Sequence, residues 1–168
     1  MLTSHEILGF MSPALALEIL TYAHETDKPL YRATLSAVAE ARKLRPVFLE
    51  RQPRAQQHAM MLTTLARPAL EAVTGNLIRT WLLKQHKQML VDFLDALGIA
   101  HQEGVVEELP ETMDEAKVRP AVEALLAKYP PEAVAVYLHA FTGMNEAEWP
   151  ALKTLLDSDS RLQLGTST

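Results

Sequence analysis

Apolar residues recur along this chain at i, i+3, i+4 and i+7, the spacing of one helix face, while the strict alternation that marks a half-buried strand is nearly absent. Leu90, Phe93, Leu94 and Leu97 form one such stripe, and Gly98 directly after it suits the left-handed position past a helix C-terminus. Val134, Tyr137, Leu138 and Phe141 form a second behind Pro131. Val118, Val122, Leu125, Leu126 and Tyr129 form a third, for which Thr112 is the predicted cap; Asp114 and Glu115 suit the first turn and Lys128 the last. Pro120 implies a kink or restart within it. Asn145 is the predicted N-cap ahead of Trp149, Leu152 and Leu156, with Pro150 costing the next turn a hydrogen bond.

Prolines repeatedly open such runs, as expected of a residue tolerated in the first helical turn, where its missing N–H has no intrahelical partner. Ser12-Pro13, Lys28-Pro29 and Arg67-Pro68 each precede a periodic apolar stretch. Gly104 to Leu109 offers a short extended piece but no sheet. The expectation is an all-α fold, a bundle or short array of about seven to eight helices, many opened by Pro. Arg67-Pro-Ala-Leu-Glu-Ala-Val73 and Arg119-Pro-Ala-Val-Glu-Ala-Leu125 agree at five of seven positions, yet their flanks do not align, so they read as a shared way of starting a helix rather than a duplication. The stretch Leu77 to Leu83 around Trp81 is apolar on more than one face and belongs at the centre of a bundle or in a subunit interface. Met60 and Met61, beside His58, read as core filling.

The stripe stops at Gly98 and acids gather up to Glu111, a gap of about 14 residues that is long for a loop inside one compact domain. This divides the chain into a helical N-terminal lobe (1–97) with a basic middle, an acidic loop (98–111) and a helical C-terminal lobe (112–168), the lobes either separate or packed as one domain.

Charge sharpens that division. Residues 28–87 hold eleven of the sixteen Lys and Arg and only three of the twenty-one Asp and Glu, a block of +8; residues 1–27 contribute −4 and residues 88–168 contribute −9, so the net −5 conceals opposite poles. A segregated field of this kind governs which partners approach and from where. With 168 residues, 48% of them hydrophobic and 22% charged, the chain can build a core and lacks the signature of disorder. It has no cysteine, which excludes disulfides, thiolate metal sites and a thiol nucleophile. No secretory signal opens the sequence and no stretch reaches about 18 apolar residues, so a soluble cytoplasmic protein with no membrane span is expected.

Candidate chemistry is sparse. No two of His5, His24, His58, His86, His101 and His139 stand three or four residues apart, as a helical metal site needs, and there is no His-Glu-x-x-His. His101 beside the acidic loop, with Asp92 and Asp95 an i, i+3 pair, is the nearest approach to a ligand cluster, and neither it nor the acidic stretch Glu103 to Glu115 has the oxygen pattern of a calcium loop. Gly-x-Ser-x-Gly, Gly-x-Gly-x-x-Gly and Walker sequences are absent. No catalytic residue, cofactor or metal is assigned.

The feature with functional reach is the basic corner: Arg42, Lys43, Arg45, Arg51 and Arg54 fall within thirteen residues around Pro46 and Pro53. They are the candidate anion- or partner-binding residues. The leading reading is a non-catalytic cytoplasmic interaction or scaffold protein, a homodimer, whose basic middle meets a carboxylate surface on a protein partner or on itself. The alternative is an anion-binding module for nucleic acid or a phosphorylated ligand. Nucleic acid is disfavoured by the overall pI of about 5.7 and by the lack of stacking aromatics, since Phe48, between Val47 and Leu49, reads as core. A third reading is an enzyme whose histidines and carboxylates converge from distant helices.

Overall fold

The structure, a computed structural model, describes residues 1–111 and 113–165. Among these residues it is all-α: α1 (Ser4–Phe10), α2 (Pro13–Thr26), α3 (Lys28–Ala41), α4 (Pro46–Glu50), α5 (Arg54–Leu65), α6 (Glu71–Gln85), α7 (Lys87–Leu97), α8 (Val118–Lys128), α9 (Pro131–Met144) and α10 (Pro150–Ser158). Short 3-10 turns at Pro68–Leu70, Glu115–Lys117 and Ser160–Leu162 complete it. There is no strand among the described residues; Gln102 and Val105 form one isolated antiparallel bridge. The ten helices exceed the expected seven or eight. The excess comes from pieces such as α1 and α4, of seven and five residues, which are too short to show a two-turn apolar stripe.

The local signals explain most boundaries. Pro13, Pro29, Pro46, Pro131 and Pro150 sit in the first turn of α2, α3, α4, α9 and α10. Ser12 and Asp27 cap α2 and α3 by accepting from the Leu15 and Leu30 N–H at 3.2 Å. Gly98 ends α7 at φ 70°, where a residue with a Cβ is strained. Two expectations are corrected. Asn145 closes α9 instead of opening the next helix, its N–H and its Nδ2 both donating to the Phe141 carbonyl at 3.1 Å. Trp149 then stands at the N-cap of α10, and Pro150, at the first helical position, costs no hydrogen bond there. Pro120 is the third residue of α8, so the helix restarts just before it, after the Glu115–Lys117 turn. The cap expected at Thr112 lies outside the described residues.

The chain forms two compact units, Thr3–Trp81 and Met1–Leu2 with Leu82–Thr168, the division falling inside α6. The first is built on Ile19, Leu20, Val38, Met61, Leu65, Ile78 and Trp81, all but fully buried. The second centres on aromatic edges, with Phe93 meeting Tyr137 at 5.5 Å and Phe141 at 5.6 Å, and Phe141 tilted on Trp149 at 5.3 Å. Each side chain of this size contributes roughly 1.5–3 kcal/mol on burial. The acidic stretch 98–111 lies within the second unit.

Candidate functional site

The basic corner is a tight succession of helix ends in the unit Thr3–Trp81. Past Ala41, the Arg42 N–H bonds back to the Val38 and Ala39 carbonyls, Lys43 takes φ 58°, and the Leu44 N–H reaches the Ala39 carbonyl at 2.8 Å, which turns the chain sharply. Arg45 precedes Pro46 at the start of α4, Arg51 ends that helix, and Arg54 is the first residue of α5 after Pro53. The five predicted residues therefore mark the ends of three successive helices. Arg42 is turned inward, its Nε donating to Thr64 Oγ1 at 2.7 Å, whereas Lys43, Arg45, Arg51 and Arg54 are exposed.

The expectation that Phe48 belongs to the core is overturned: Phe48 and Val47 are each 51% exposed. A five-residue helix has little more than one inward position, and Leu49, at 0% exposure, takes it. Gln57 from α5 fastens this helix, its Nε2 donating to the Leu49 and Glu50 carbonyls at 3.0 and 3.2 Å. Two apolar side chains thus stand in the open between Arg45 and Arg51.

Most of the basic block makes no ion pair among the described residues. Of its eleven Lys and Arg, Lys87 alone makes an ion pair among the described residues, with Glu103 at 3.6 Å. The other ion pairs involve histidines or cations outside the block: His5–Glu71, His101–Asp95, Lys128–Asp92, and Arg161 with Glu123 and Asp159. The exposed carboxylates Glu107, Glu108 and Glu111 are likewise without an ion pair among the described residues.

Behind Arg54 lies a group of side chains that sequence reasoning missed. His24 from α2, Tyr31 from α3 and His58 from α5 meet edge to face, with ring centroids 4.7 Å apart for His24 and Tyr31, 5.9 Å for Tyr31 and His58, and 6.1 Å for the two imidazoles. The Tyr31 hydroxyl donates to Gln57 Oε1. His58 is only 5% exposed, and its buried Nε2 has no hydrogen-bond partner among the described residues. Burial and then the Arg54 charge hold both imidazoles below the ordinary histidine value, while burial pushes the Tyr31 hydroxyl up against the pull of the same guanidinium. The one available signal was the i, i+4 spacing of Arg54 and His58, which puts them on one face of α5; the 34 residues separating His24 from His58 hide the rest.

The remaining candidate groups are absorbed structurally. Asp92 accepts from the Tyr129 hydroxyl, Lys128 Nζ and Gln88 Nε2, and the Tyr129 and Lys128 bonds hold its carboxyl down at about 2. Asp95 accepts from His101 Nε2 at 2.8 Å, and the Gly104 N–H donates to His101 Nδ1 at 3.1 Å. His139 Nε2 donates to the Leu162 carbonyl at 2.9 Å. Among the described residues no three His, Asp or Glu side chains come together as a metal site, and no carboxylate hydrogen-bonds His24 or His58. No helix is long and apolar enough to cross a membrane.

Compared with known proteins, the chain matches no family model, no curated protein and no solved structure. The corner itself therefore carries the functional reading.

Proposed function

We propose that the chain is a non-catalytic helical interaction protein that self-associates, the basic corner of α3 to α5 on one copy meeting carboxylates of a second. One observation carries the reading: Lys43, Arg45, Arg51 and Arg54 are exposed without ion pairs among the described residues, and they flank the exposed Val47 and Phe48. An apolar, aromatic centre with arginines around it has the composition of a protein interface, where the anchor supplies burial and the cations select an acidic counterpart. Glu107, Glu108 and Glu111 offer such a counterpart on the same polypeptide. Sedimentation velocity at 50 and 500 mM salt tests it. A concentration-dependent dimer is expected at low salt, weaker at high salt and absent in the R45E/R51E double variant. A monomer at every concentration and salt would remove the reading.

The exposure of Phe48 favours a second reading, because it supplies the stacking aromatic that single-stranded nucleic acid requires beside its phosphate-binding cations. A gel-shift assay with single-stranded RNA and DNA at 50 mM salt distinguishes it: retention that Phe48→Ala weakens supports it, and no retention eliminates it.

A further inference from the structure

We propose that Arg54, His24 and His58 form a binding site for a phosphate-type oxyanion, with Tyr31 and Gln57 as its fixed wall. The site shares Arg54 with the basic corner but does not use Arg45, Phe48 or Arg51, and its test is independent of self-association.

Three helices bring the group together. His24 sits in the last turn of α2, Tyr31 in the first turn of α3, and Arg54, Gln57 and His58 in the first two turns of α5. The wall is already satisfied: Tyr31 donates to Gln57, and Gln57 donates to the Leu49 and Glu50 carbonyls, so neither amide nor phenol is free to rearrange cheaply. The His58 imidazole is not. His58 Nε2 is buried with no partner among the described residues, a state that is rare in folded proteins unless something supplies the missing partner. Neither ring is hydrogen-bonded by a carboxylate of the described residues.

The charges facing the two rings settle the sign of the ligand. His58 feels Arg54 and His24; His24 feels Arg54 from α5, Glu25 on its own helix and Lys28 from the start of α3. Two cations against one acid, in a half-buried setting, repel a metal ion and attract an anion. A dianionic phosphate accepts from the guanidinium fork and from imidazole N–H groups at once, which a single carboxylate does less well. Because the bound anion favours the imidazolium form, it opposes the effect of burial and of Arg54 and should raise the pH at which both rings titrate.

The test is an NMR titration of the histidine ring signals in the full chain, from pH 5 to 8, with inorganic phosphate. Saturable shifts confined to His24 and His58 are expected, with both titration midpoints rising by about half a pH unit or more. Affinity should fall about tenfold or more in Arg54→Gln and stay within about twofold in Arg79→Ala, both exposed positions whose folding is checked by circular dichroism. O-Phosphoserine in place of inorganic phosphate separates the sources: tighter binding assigns a phosphomonoester, weaker binding the free ion, and either supports the site. Equal shifts at all six histidines, the same shifts with chloride at matched ionic strength, unchanged affinity in Arg54→Gln, or no saturable shift would each overturn it.

Discussion

Replacing Tyr137 by Phe should stabilise the protein, although it deletes a polar group from the centre of a helix. Tyr137 is 3% exposed on α9, packed edge-on against Phe93 and Phe141, and its hydroxyl is buried without a hydrogen-bond partner among the described residues. Burial alone keeps that hydroxyl protonated far above the ordinary tyrosine value. A hydroxyl brought out of water without compensation costs about 1–3 kcal/mol. Removing it leaves a void of roughly 10 Å3, which costs only about 0.2 kcal/mol at about 24 cal/mol per Å3. Relief of the desolvation cost outweighs the void and leaves the variant about 1–2 kcal/mol more stable. For a chain of this length that corresponds to a rise of roughly 2–8 °C in Tm. Urea denaturation followed by far-UV circular dichroism and by near-UV aromatic signals measures it, and the two probes also show whether the two units unfold together. A loss of about 1 kcal/mol or more would refute the reasoning, because it would mean that the hydroxyl has a partner in the folded protein.

Two further outcomes follow from the polar contacts. Glu71 accepts from the Ser4 and His5 N–H groups at 2.7 and 2.9 Å and from His5 Nδ1, so it caps the start of α1 from across the unit; burial pushes its carboxyl up and these bonds more than reverse it. Glu71→Ala should cost about 1 kcal/mol, with the charge contribution screened at this half-exposed position, and should speed hydrogen exchange at the Ser4 and His5 amides; unchanged exchange there would contradict the cap. His24, His58 and His139 all titrate below the reference 6.5, with burial the first cause in each case, so the fold favours their neutral forms. As pH falls below about 6.5 the unfolded chain takes up protons first, and stability present at pH 7.5 is lost progressively toward the depressed folded values. Asp92, held at about 2, keeps its contribution until pH falls below 3.8 and so is silent in this window. In phosphate-free buffer the urea midpoint should be lower at pH 5.5 than at 7.5, by a smaller margin in His58→Gln; an equal midpoint in the wild type would exclude the effect.

The helices are legible in the sequence because their signals are local. Prolines in first turns, the Gly98 stop and the stripe from Leu90 to Leu97 each depend on a few neighbouring residues, and α2, α3, α7 and α9 begin or end where these point. Asn145 defeats the same logic because an N-cap and a C-cap favour the same short polar residue, and only the hydrogen bonds to Phe141 decide between them. The arginines of the corner are visible as a cluster, but the exposure of Phe48 is not, since an apolar triplet Val47-Phe48-Leu49 looks like core until the helix is known to be one turn long. The meeting of His24 with His58 depends on how α2, α3 and α5 pack, and no periodicity within one helix encodes that.

Helix α4 rests on one buried side chain, Leu49, and on two bonds from Gln57 to its backbone. The main anchors of the segment are therefore separate from its outward side chains: Arg45, Val47, Phe48 and Arg51 should each be exchangeable at less cost to folding than Leu49 or Gln57. A protein arranged this way can acquire a new binding preference by altering four outward letters, and mutational scanning of the segment should find tolerance at those four beside intolerance at Leu49 and Gln57.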